Sequence, residues 1–249
     1  GFPKGIAGPE LTELMKAQAE RFGVESVIDE VTRIDLDGDS KLVRAREGEY
    51  RADVVILAMG ADPRKLGVPG EEEFRGRGVS YCGTCDAPFF RNKKVVAVGG
   101  GDTALKEALF IARFAREVAL VHRRCEFRAE RIYQEEIKRD PKLTLVLESV
   151  VTRILGTAKV EAIETRHVKT GEARRIDCDG VFIFVGTEPN TRFLSNLFPD
   201  AAGRHLPTDK DMMTSLPGIF AVGDVREDSY RQVATAVGEG ATAAIAAEH

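Results

Sequence analysis

The sequence lacks three features that would place it in a special class of protein. No uninterrupted apolar run approaches the roughly 18–20 residues that a membrane-spanning helix needs. The formal net charge is only −4 and the basic residues are dispersed, so nothing favours nucleic acid or a membrane as a partner. Four cysteines are too few for a disulfide scaffold and fit a reduced, cytoplasmic setting. The 249 residues suffice for one large or two small globular domains.

Two of the cysteines, Cys82 and Cys85, are separated by Gly83-Thr84. The short gap lets the two sulfurs close a small ring, and a nearby helix N-terminus would lower the pKa of the attacking thiol. Zinc would need two more ligands, and neither Cys125 nor Cys178 has a partner at ligand spacing, so no metal is predicted. Two inert thiols are the alternative, but the Gly-Thr spacer does not resemble a core segment. We interpret the pair as a redox couple.

Asp86 follows the cysteine pair directly. A carboxyl group at this place is the candidate proton carrier for thiol–disulfide exchange. A role in a turn or a helix cap is the alternative.

A glycine turn joins a predicted strand, Lys94–Val98, to a predicted helix that ends near Arg116. The first glycine permits the tight turn, the second lets the backbone approach a pyrophosphate, and a small third residue keeps the helix close to the strand. The helix N-terminus offers unpaired N–H groups to the anion. A simple tight connection is the alternative. The candidate cofactor-binding residues are Gly99, Gly101, Asp102, Thr103 and Ala104.

Basic residues occupy the position that distinguishes the two nicotinamide cofactors. An NAD site would carry Asp or Glu about 20 residues past the turn, for the ribose hydroxyl. Here the chain reads His122-Arg123-Arg124, with Arg128 close behind. Arginines suit a 2′-phosphate because they bind it with paired, charged hydrogen bonds, so NADPH is predicted. We interpret His122 as a packing or hydrogen-bonding residue, and a solvated basic strand end is the alternative.

A second candidate cofactor turn lies near the end of the chain. The apolar strand Gly218–Val222 runs into Gly223-Asp224, and a helix is predicted from about Arg231. Enzymes that carry electrons from a nicotinamide to a disulfide normally use a flavin between the two. Asp224 could bind ribityl hydroxyls while the helix N-terminus faces phosphate or the flavin ring. A capped turn is the alternative.

Outside these motifs, apolar periodicity predicts an amphipathic helix over Pro9–Phe22 and a hairpin formed by Val31–Leu36 and Lys41–Arg46. The continuous apolar run Asp53–Gly60 predicts a strand buried on both faces of a mainly parallel sheet. Val181–Gly186 is a second run of this kind.

In order and spacing, these motifs resemble those of the low-molecular-weight, bacterial-type thioredoxin reductases, over essentially all 249 residues. The resemblance implies a homodimeric flavoprotein in which NADPH reduces FAD, FAD reduces the Cys82–Cys85 disulfide, and the dithiol reduces thioredoxin. It further implies that Cys82 attacks thioredoxin, that Cys85 faces the flavin and that Asp86 is the acid. The motifs that carry the resemblance are Cys82–Asp86, Gly99–Ala104, His122–Arg124, Phe127–Ala129, Gly223–Val225 and Tyr230–Gln232, and the implied FAD contacts are Gly223, Asp224, Arg231, Gln232 and Val233.

The resemblance also implies an α/β fold of two Rossmann-like domains, of the pyridine nucleotide-disulfide oxidoreductase type. The NADPH domain, residues 69–186 with the redox pair, is inserted into a discontinuous FAD domain of residues 1–68 and 187–249. The connectors near 61–70 and 186–190 are the expected hinges.

The chain departs from the family pattern at its start. Family members begin with a strand and a Gly-x-Gly-x-x-Ala turn for the ADP half of FAD, so the FAD domain is expected to lack an N-terminal segment of about 55–60 residues. Met59 also replaces the usual Thr of an Ala-Thr-Gly turn. The alternatives are a reductase for another carrier (glutaredoxin-like, peroxiredoxin or small dithiol) and a flavin-free NADPH-binding fragment without activity.

Overall fold

The structure is a computed structural model that describes residues 2–248. The chain forms two compact units. One contains the chain up to Ala58 together with the chain from Thr191 onward, and the other is Met59–Asn190. Helices and strands occur in both, which confirms the predicted α/β class. The assignment of 1–68, 69–186 and 187–249 to particular cofactors stays a prediction.

The elements of the described chain are as follows. The α-helices are α1 (Gly8–Arg21), α2 (Gly83–Asp86), α3 (Asp102–Ala112), α4 (Arg131–Arg139) and α5 (Val233–Ala247). Short 3₁₀ helices lie at Ala87–Phe90, Arg192–Leu194, Pro199–Ala201 and Gly223–Val225. The strands are β1 (Val31–Asp37), β2 (Ser40–Ala45), β3 (Glu49–Ala52), β4 (Val55–Leu57), β5 (Ala61–Pro63), β6 (Val79–Ser80), β7 (Lys94–Gly99), β8 (Glu117–Val121), β9 (Leu143–Val146), β10 (Ser149–Gly156), β11 (Val160–His167), β12 (Ala173–Asp177), β13 (Gly180–Phe184), β14 (Thr187–Pro189) and β15 (Ile219–Ala221).

A five-stranded parallel sheet is the centre of the Met59–Asn190 unit, in the order β6-β13-β7-β8-β9. Both of its faces are covered. Val95 and Ala97 of β7 belong to the cluster that includes α3, and the alternate residues Val96 and Val98 belong to the cluster that includes β10 and β11. Burial on both faces explains the continuous apolar runs of the central strands, and the predicted buried strand at Val181–Gly186 is confirmed as β13.

Helix α3 lies close to this sheet because its inner residues are small. Ala104 and Ala108 are four residues apart, one helical turn, and both are fully buried. Close packing brings the helix start to the carboxyl end of β7, where parallel α/β sheets bind their ligands. The predicted strand–turn–helix order is therefore confirmed, although the helix ends at Ala112.

In the other unit, the predicted helix and hairpin form, and one prediction about burial is wrong. Helix α1 forms where predicted, but none of its residues is buried, and Leu14 of its apolar face is 55% exposed. The run Asp53–Gly60 forms only the three-residue strand β4, whose Ile56 is 41% exposed. Among residues 2–248, β4 pairs with β15 alone, so the pair has too few neighbours to cover both faces. The predicted hairpin is confirmed as β1–β2, with β3 added on the outer side of β2.

The two connectors that join the units are paired with each other. β5 and β14 run antiparallel, and Arg64 N donates to Gly186 O at 2.9 Å. Next to this ladder, the Asn190 side-chain amide donates to Met59 O at 3.0 Å. The segments predicted as connectors therefore form a short two-stranded ladder within the Met59–Asn190 unit.

Candidate redox and cofactor-binding site

The two cysteines of the Cys-x-x-Cys motif form a disulfide. Their Cα atoms are 5.3 Å apart, within the range that a disulfide spans. Cys85 is exposed and Cys82 is half-buried. The structure therefore brings the two sulfurs together at a place that a partner molecule can reach.

The sequence around Cys82 fixes its backbone and its sulfur. Cys82 is the N-cap of α2, and its Sγ accepts a hydrogen bond from Cys85 N at 3.1 Å. The hydroxyl of Ser80, a buried residue, accepts from Cys82 N at 3.1 Å and donates to Cys82 O at 3.2 Å. When the disulfide opens, the Cys85 N–H is placed to donate to a thiolate on Cys82.

Asp86 ends helix α2, one residue beyond Cys85. Its backbone N–H donates to Cys82 O at 3.2 Å, so its backbone is part of the same turn as the disulfide. Its side chain is half-buried. The position fits a proton carrier for the pair, and that role stays a prediction.

The glycine turn after β7 is shaped for close approach. A Cβ on Gly99 would lie 2.5 Å from both Ala104 Cβ and Phe184 O, so a larger residue at 99 would separate the helix from the sheet. A Cβ on Gly101, the N-cap of α3, would meet nothing within 4 Å. The N-cap of α3 makes no side-chain hydrogen bond to the first N–H groups of the helix, which are left available to a ligand. Such a turn fits a pyrophosphate.

The basic segment is hydrogen-bonded to this turn. Arg128 N donates to Gly100 O at 2.9 Å, and Glu130 N donates to Asp102 Oδ1 at 2.7 Å. Arg123, Arg124 and Arg128 are exposed, and within residues 2–248 none of the three makes an ion pair. Three cations without ion-pair partners thus lie on a segment attached to the glycine turn. Asp102 holds that segment with one carboxylate oxygen, and Thr103 is exposed.

His122 packs in the interior, and its place among the candidate cofactor-binding residues stays a prediction. It is buried, its ring stacks on Phe127 at 5.2 Å between centroids, and its Nε2 shares a hydrogen bond with Glu126 O at 3.1 Å. Burial lowers the pKa of His122, and the neighbouring arginines lower it further. A Cβ on Gly100 would lie 2.1 Å from the His122 ring, so the middle glycine of the turn is needed for this packing.

The Gly223-Asp224 turn lies in the other unit. Gly223 has a φ of +72°, which favours glycine, and starts a 3₁₀ turn. Asp224 is half-buried and Ser229 Oγ donates to its Oδ1 at 3.5 Å. Arg231, Gln232 and Val233 are exposed at the start of α5, which has no side-chain cap. A carboxylate beside an uncapped helix start fits a cofactor that has hydroxyl and phosphate groups.

The family is established by comparison with known proteins. Residues 4–240 match the pyridine nucleotide-disulphide oxidoreductase family. The chain is 44% identical to a thioredoxin reductase of Peptoclostridium acidaminophilum, with 100% of the chain and 81% of that protein covered. The structure of a thioredoxin reductase from Streptococcus pyogenes superposes with a TM-score of 0.91 at 42% identity, covering 100% of this chain and 82% of that one.

This chain belongs to the thioredoxin reductase family. The resemblance noted from the motifs is thereby confirmed, and the chain is an NADPH-dependent oxidoreductase. Members of the family contain FAD and use NADPH, which the two turns fit. A further relative, a bifunctional thioredoxin reductase/thioredoxin of Mycobacterium leprae, is 44% identical over 100% of this chain and 55% of its own length.

A buried carboxylate next to the redox pair was missed by the sequence reasoning. Glu71, which no sequence motif singled out, is only 2% exposed. It accepts hydrogen bonds from Leu66 N, Gly67 N and the Tyr81 hydroxyl at 2.9, 2.7 and 2.8 Å. Burial, followed by the hydrogen bond to Glu71, raises the pKa of Tyr81. Glu71 therefore ties the segment after β5 to the residue that precedes Cys82.

A buried ion pair beside the Gly223-Asp224 turn was also missed. Glu239 of α5 accepts from Gly223 N at 2.6 Å and from Arg226 Nη1 at 2.7 Å, and the Arg226 and Glu239 side chains are 11% and 12% exposed. Arg226 Nε also donates to Thr208 Oγ1 at 2.7 Å. Neither residue belongs to a recognisable motif, so no sequence signal identified the pair.

Replacing Glu239 with Ala is expected to lower the free energy of unfolding by about 3 kcal/mol, because it leaves the Arg226 charge buried without its partner. Urea denaturation followed by circular dichroism measures the effect. Glu117→Gln is the matched control, since the Lys94–Glu117 pair is exposed and such pairs contribute at most about 1 kcal/mol. Equal shifts of the two denaturation curves would contradict the prediction.

Two further properties concern the described chain as a whole. Within residues 2–248, no group of three or more His, Cys, Asp and Glu side chains is arranged to hold a metal ion. None of the helices in that range combines the length and apolar character needed to cross a bilayer.

Proposed function

We propose that this chain is a thioredoxin reductase in which the Cys82–Cys85 disulfide receives the electrons of NADPH and passes them to thioredoxin. The observation that carries the proposal is the position of α3. Its first turn follows the glycine turn, and farther along it packs against α2, the helix that carries Cys85. One rigid helix therefore links the candidate NADPH turn to the disulfide.

Two sets of residues are proposed to hold the cofactors. The glycine turn and the start of α3 would bind the pyrophosphate of NADPH, while Arg123, Arg124 and Arg128 would bind its 2′-phosphate. Asp224, with the residues at the start of α5, would contact FAD. When bound, the flavin relays an electron pair between the nicotinamide and a disulfide.

The chain's own chemistry is thiol–disulfide exchange. In the dithiol form, the Cys82 thiolate attacks one sulfur of the partner disulfide, which breaks that bond and releases a partner thiolate. Asp86 is proposed to supply the proton that this thiolate takes. The Cys85 thiol then loses its proton and attacks Cys82 Sγ, which re-forms the Cys82–Cys85 bond and breaks the bond to the partner. The second partner sulfur leaves as a thiolate and takes up the proton that Cys85 lost. Two electrons and two protons pass to the partner.

Thioredoxin is the proposed partner because one relative is a fusion of a thioredoxin reductase with thioredoxin. We further propose a homodimer, which rests on the family resemblance. A cytoplasmic location is proposed because the chain has few cysteines and only one closely spaced pair.

The partner is tested by comparing rates of NADPH oxidation with the full chain and added FAD. Thioredoxin, a glutaredoxin, an oxidised peroxiredoxin and a small cyclic disulfide serve as the four alternative acceptors. We expect thioredoxin to give a kcat/KM at least about tenfold above the others, a difference of about 1.4 kcal/mol in transition-state stabilisation. A higher value for any other acceptor would overturn the assignment of the partner.

The exposed aromatic residue beside the redox helix gives a second prediction. Phe89 is 74% exposed, three residues after Asp86. Large aromatic side chains of this kind anchor protein–protein contacts. Phe89→Ala is expected to raise KM for thioredoxin about tenfold, or about 1.4 kcal/mol of binding. KM for a small disulfide reagent should change much less, and equal changes for both substrates would contradict a docking role.

A further inference from the structure

Among the described residues, one buried side-chain oxygen has no hydrogen-bond partner, and it is Oε2 of Glu107. Burying an unpaired carboxyl oxygen is costly, and a hydrophobic residue would fill the same space without that cost. Such a group in a folded protein calls for an explanation.

The Glu107 carboxyl group lies against the spacer of the redox motif. A Cβ on Gly83, which is buried, would lie only 2.1 Å from Glu107 Oε2. The neighbouring Thr84 hydroxyl donates to Glu107 Oε1 at 3.5 Å. Both residues of the spacer between Cys82 and Cys85 therefore face this carboxyl group.

The surroundings of Glu107 are those of a partly desolvated acid. Burial raises the pKa of Glu107, and the neighbouring polar groups of Thr84 and Gly83 partly offset that rise. All the groups that favour the ionised form belong to the spacer itself. The ionisation of Glu107 and the conformation of the Gly83-Thr84 spacer are therefore coupled, so that a change in one alters the other.

We propose that Glu107 is a positioning residue for the redox pair. Glu107 contacts the Gly83-Thr84 spacer and thereby sets the equilibrium between the Cys82–Cys85 disulfide and the dithiol. The reason is electrostatic as well as steric. Opening the disulfide creates negative charge on a thiolate, and a nearby carboxylate disfavours that charge. Glu107 thus shifts the equilibrium toward the disulfide, which makes the dithiol a stronger reductant. This inference rests on the redox role of the pair given above.

The test needs neither FAD nor NADPH. The full chain is equilibrated with mixtures of reduced and oxidised dithiothreitol, in which the reagent gives two electrons and two protons to the disulfide and becomes cyclic itself. The dithiol fraction is then measured by alkylation and mass spectrometry. Glu107→Gln keeps the shape and removes the charge, so it should raise the equilibrium constant for reduction about three- to tenfold, where tenfold is about 30 mV. Glu135→Gln, an exposed carboxylate of the same unit, is the matched control and should change nothing.

A second pair of variants tests the steric contact. Gly83→Ala places a methyl group against the Glu107 carboxyl and should shift the same equilibrium or impair folding. The Gly83→Ala/Glu107→Ala double variant removes the clash. Its equilibrium constant for reduction should therefore lie within about twofold of that of the single Glu107→Ala variant. Additive effects would contradict the contact.

An equilibrium constant for Glu107→Gln within twofold of the unchanged chain would overturn the inference, even where thioredoxin is reduced normally. A shifted equilibrium together with unimpaired thioredoxin reduction by Cys82→Ser would support the inference and overturn the proposed function. The two ideas therefore fail separately.

Discussion

Replacing Cys82 with Ser is expected to lower NADPH-dependent disulfide reduction by at least about a thousandfold, because a hydroxyl cannot take part in thiol–disulfide exchange at neutral pH. Cys85→Ser should have the same effect on multiple turnovers, since the mixed disulfide with the partner then cannot be resolved. The rate of NADPH oxidation in the presence of FAD and thioredoxin measures both losses. The two variants differ in one further respect. Cys85→Ser retains the attacking thiol of Cys82, so only this variant should accumulate a covalent complex with thioredoxin.

Cys125→Ser is the matched control for these variants. Cys125 is exposed and is a free thiol, so general thiol chemistry would involve it as readily as the motif cysteines. Cys178 is buried, and burial raises the pKa of its thiol to about 12, so it holds little thiolate at neutral pH. We expect Cys125→Ser to keep the full rate. Full activity of Cys82→Ser would overturn the redox role of the pair.

The second large effect is expected at the basic segment after β8. Replacing Arg123 and Arg124 together with Gln should raise Kd for NADPH about a hundredfold or more, because each charged hydrogen bond to a phosphate contributes about 1.5–3 kcal/mol. Binding of NADH, which has no 2′-phosphate, should change by less than about threefold. Isothermal titration with both nucleotides on the full chain measures the two values.

Arg131→Gln is the control for this pair, since Arg131 is an exposed arginine at the start of α4, on the same surface segment. It should leave the affinity for both nucleotides unchanged. Equal weakening of NADPH and NADH by the Arg123/Arg124 variant would mean that the arginines contribute general charge and do not recognise the 2′-phosphate.

The sequence was most informative where local chemistry alone determines the structure. The glycine turn could be placed because its spacing follows from one requirement, the close packing of Ala104 on Gly99 between a strand and a helix. The cysteine pair could be placed because only two residues, Gly83 and Thr84, separate Cys82 from Cys85. In both cases the residues that interact are neighbours in the chain.

The residues that escaped prediction have partners distant in the chain. Glu71 is an acidic residue, a type that is ordinarily exposed, and only the fold brings Tyr81 to it. Arg226 and Glu239 lie on different elements and meet only when α5 has formed. Glu107 occupies an ordinary helical position, and the structure alone shows it behind Gly83. Burial of β4 was wrongly predicted for a related reason, since an apolar run does not reveal how many strands will stand beside it.

The paired connectors β5 and β14 bring the two crossings of the chain between the units next to each other. Backbone hydrogen bonds join the outgoing and returning strands, and Asn190 N also donates to Gly60 O at 3.1 Å. Thr191, just beyond the ladder, is held by its hydroxyl to Ala201 O and Arg204 O at 3.1 and 2.9 Å. The chain therefore leaves and re-enters the Met59–Asn190 unit at one place, through two strands that are hydrogen-bonded to each other.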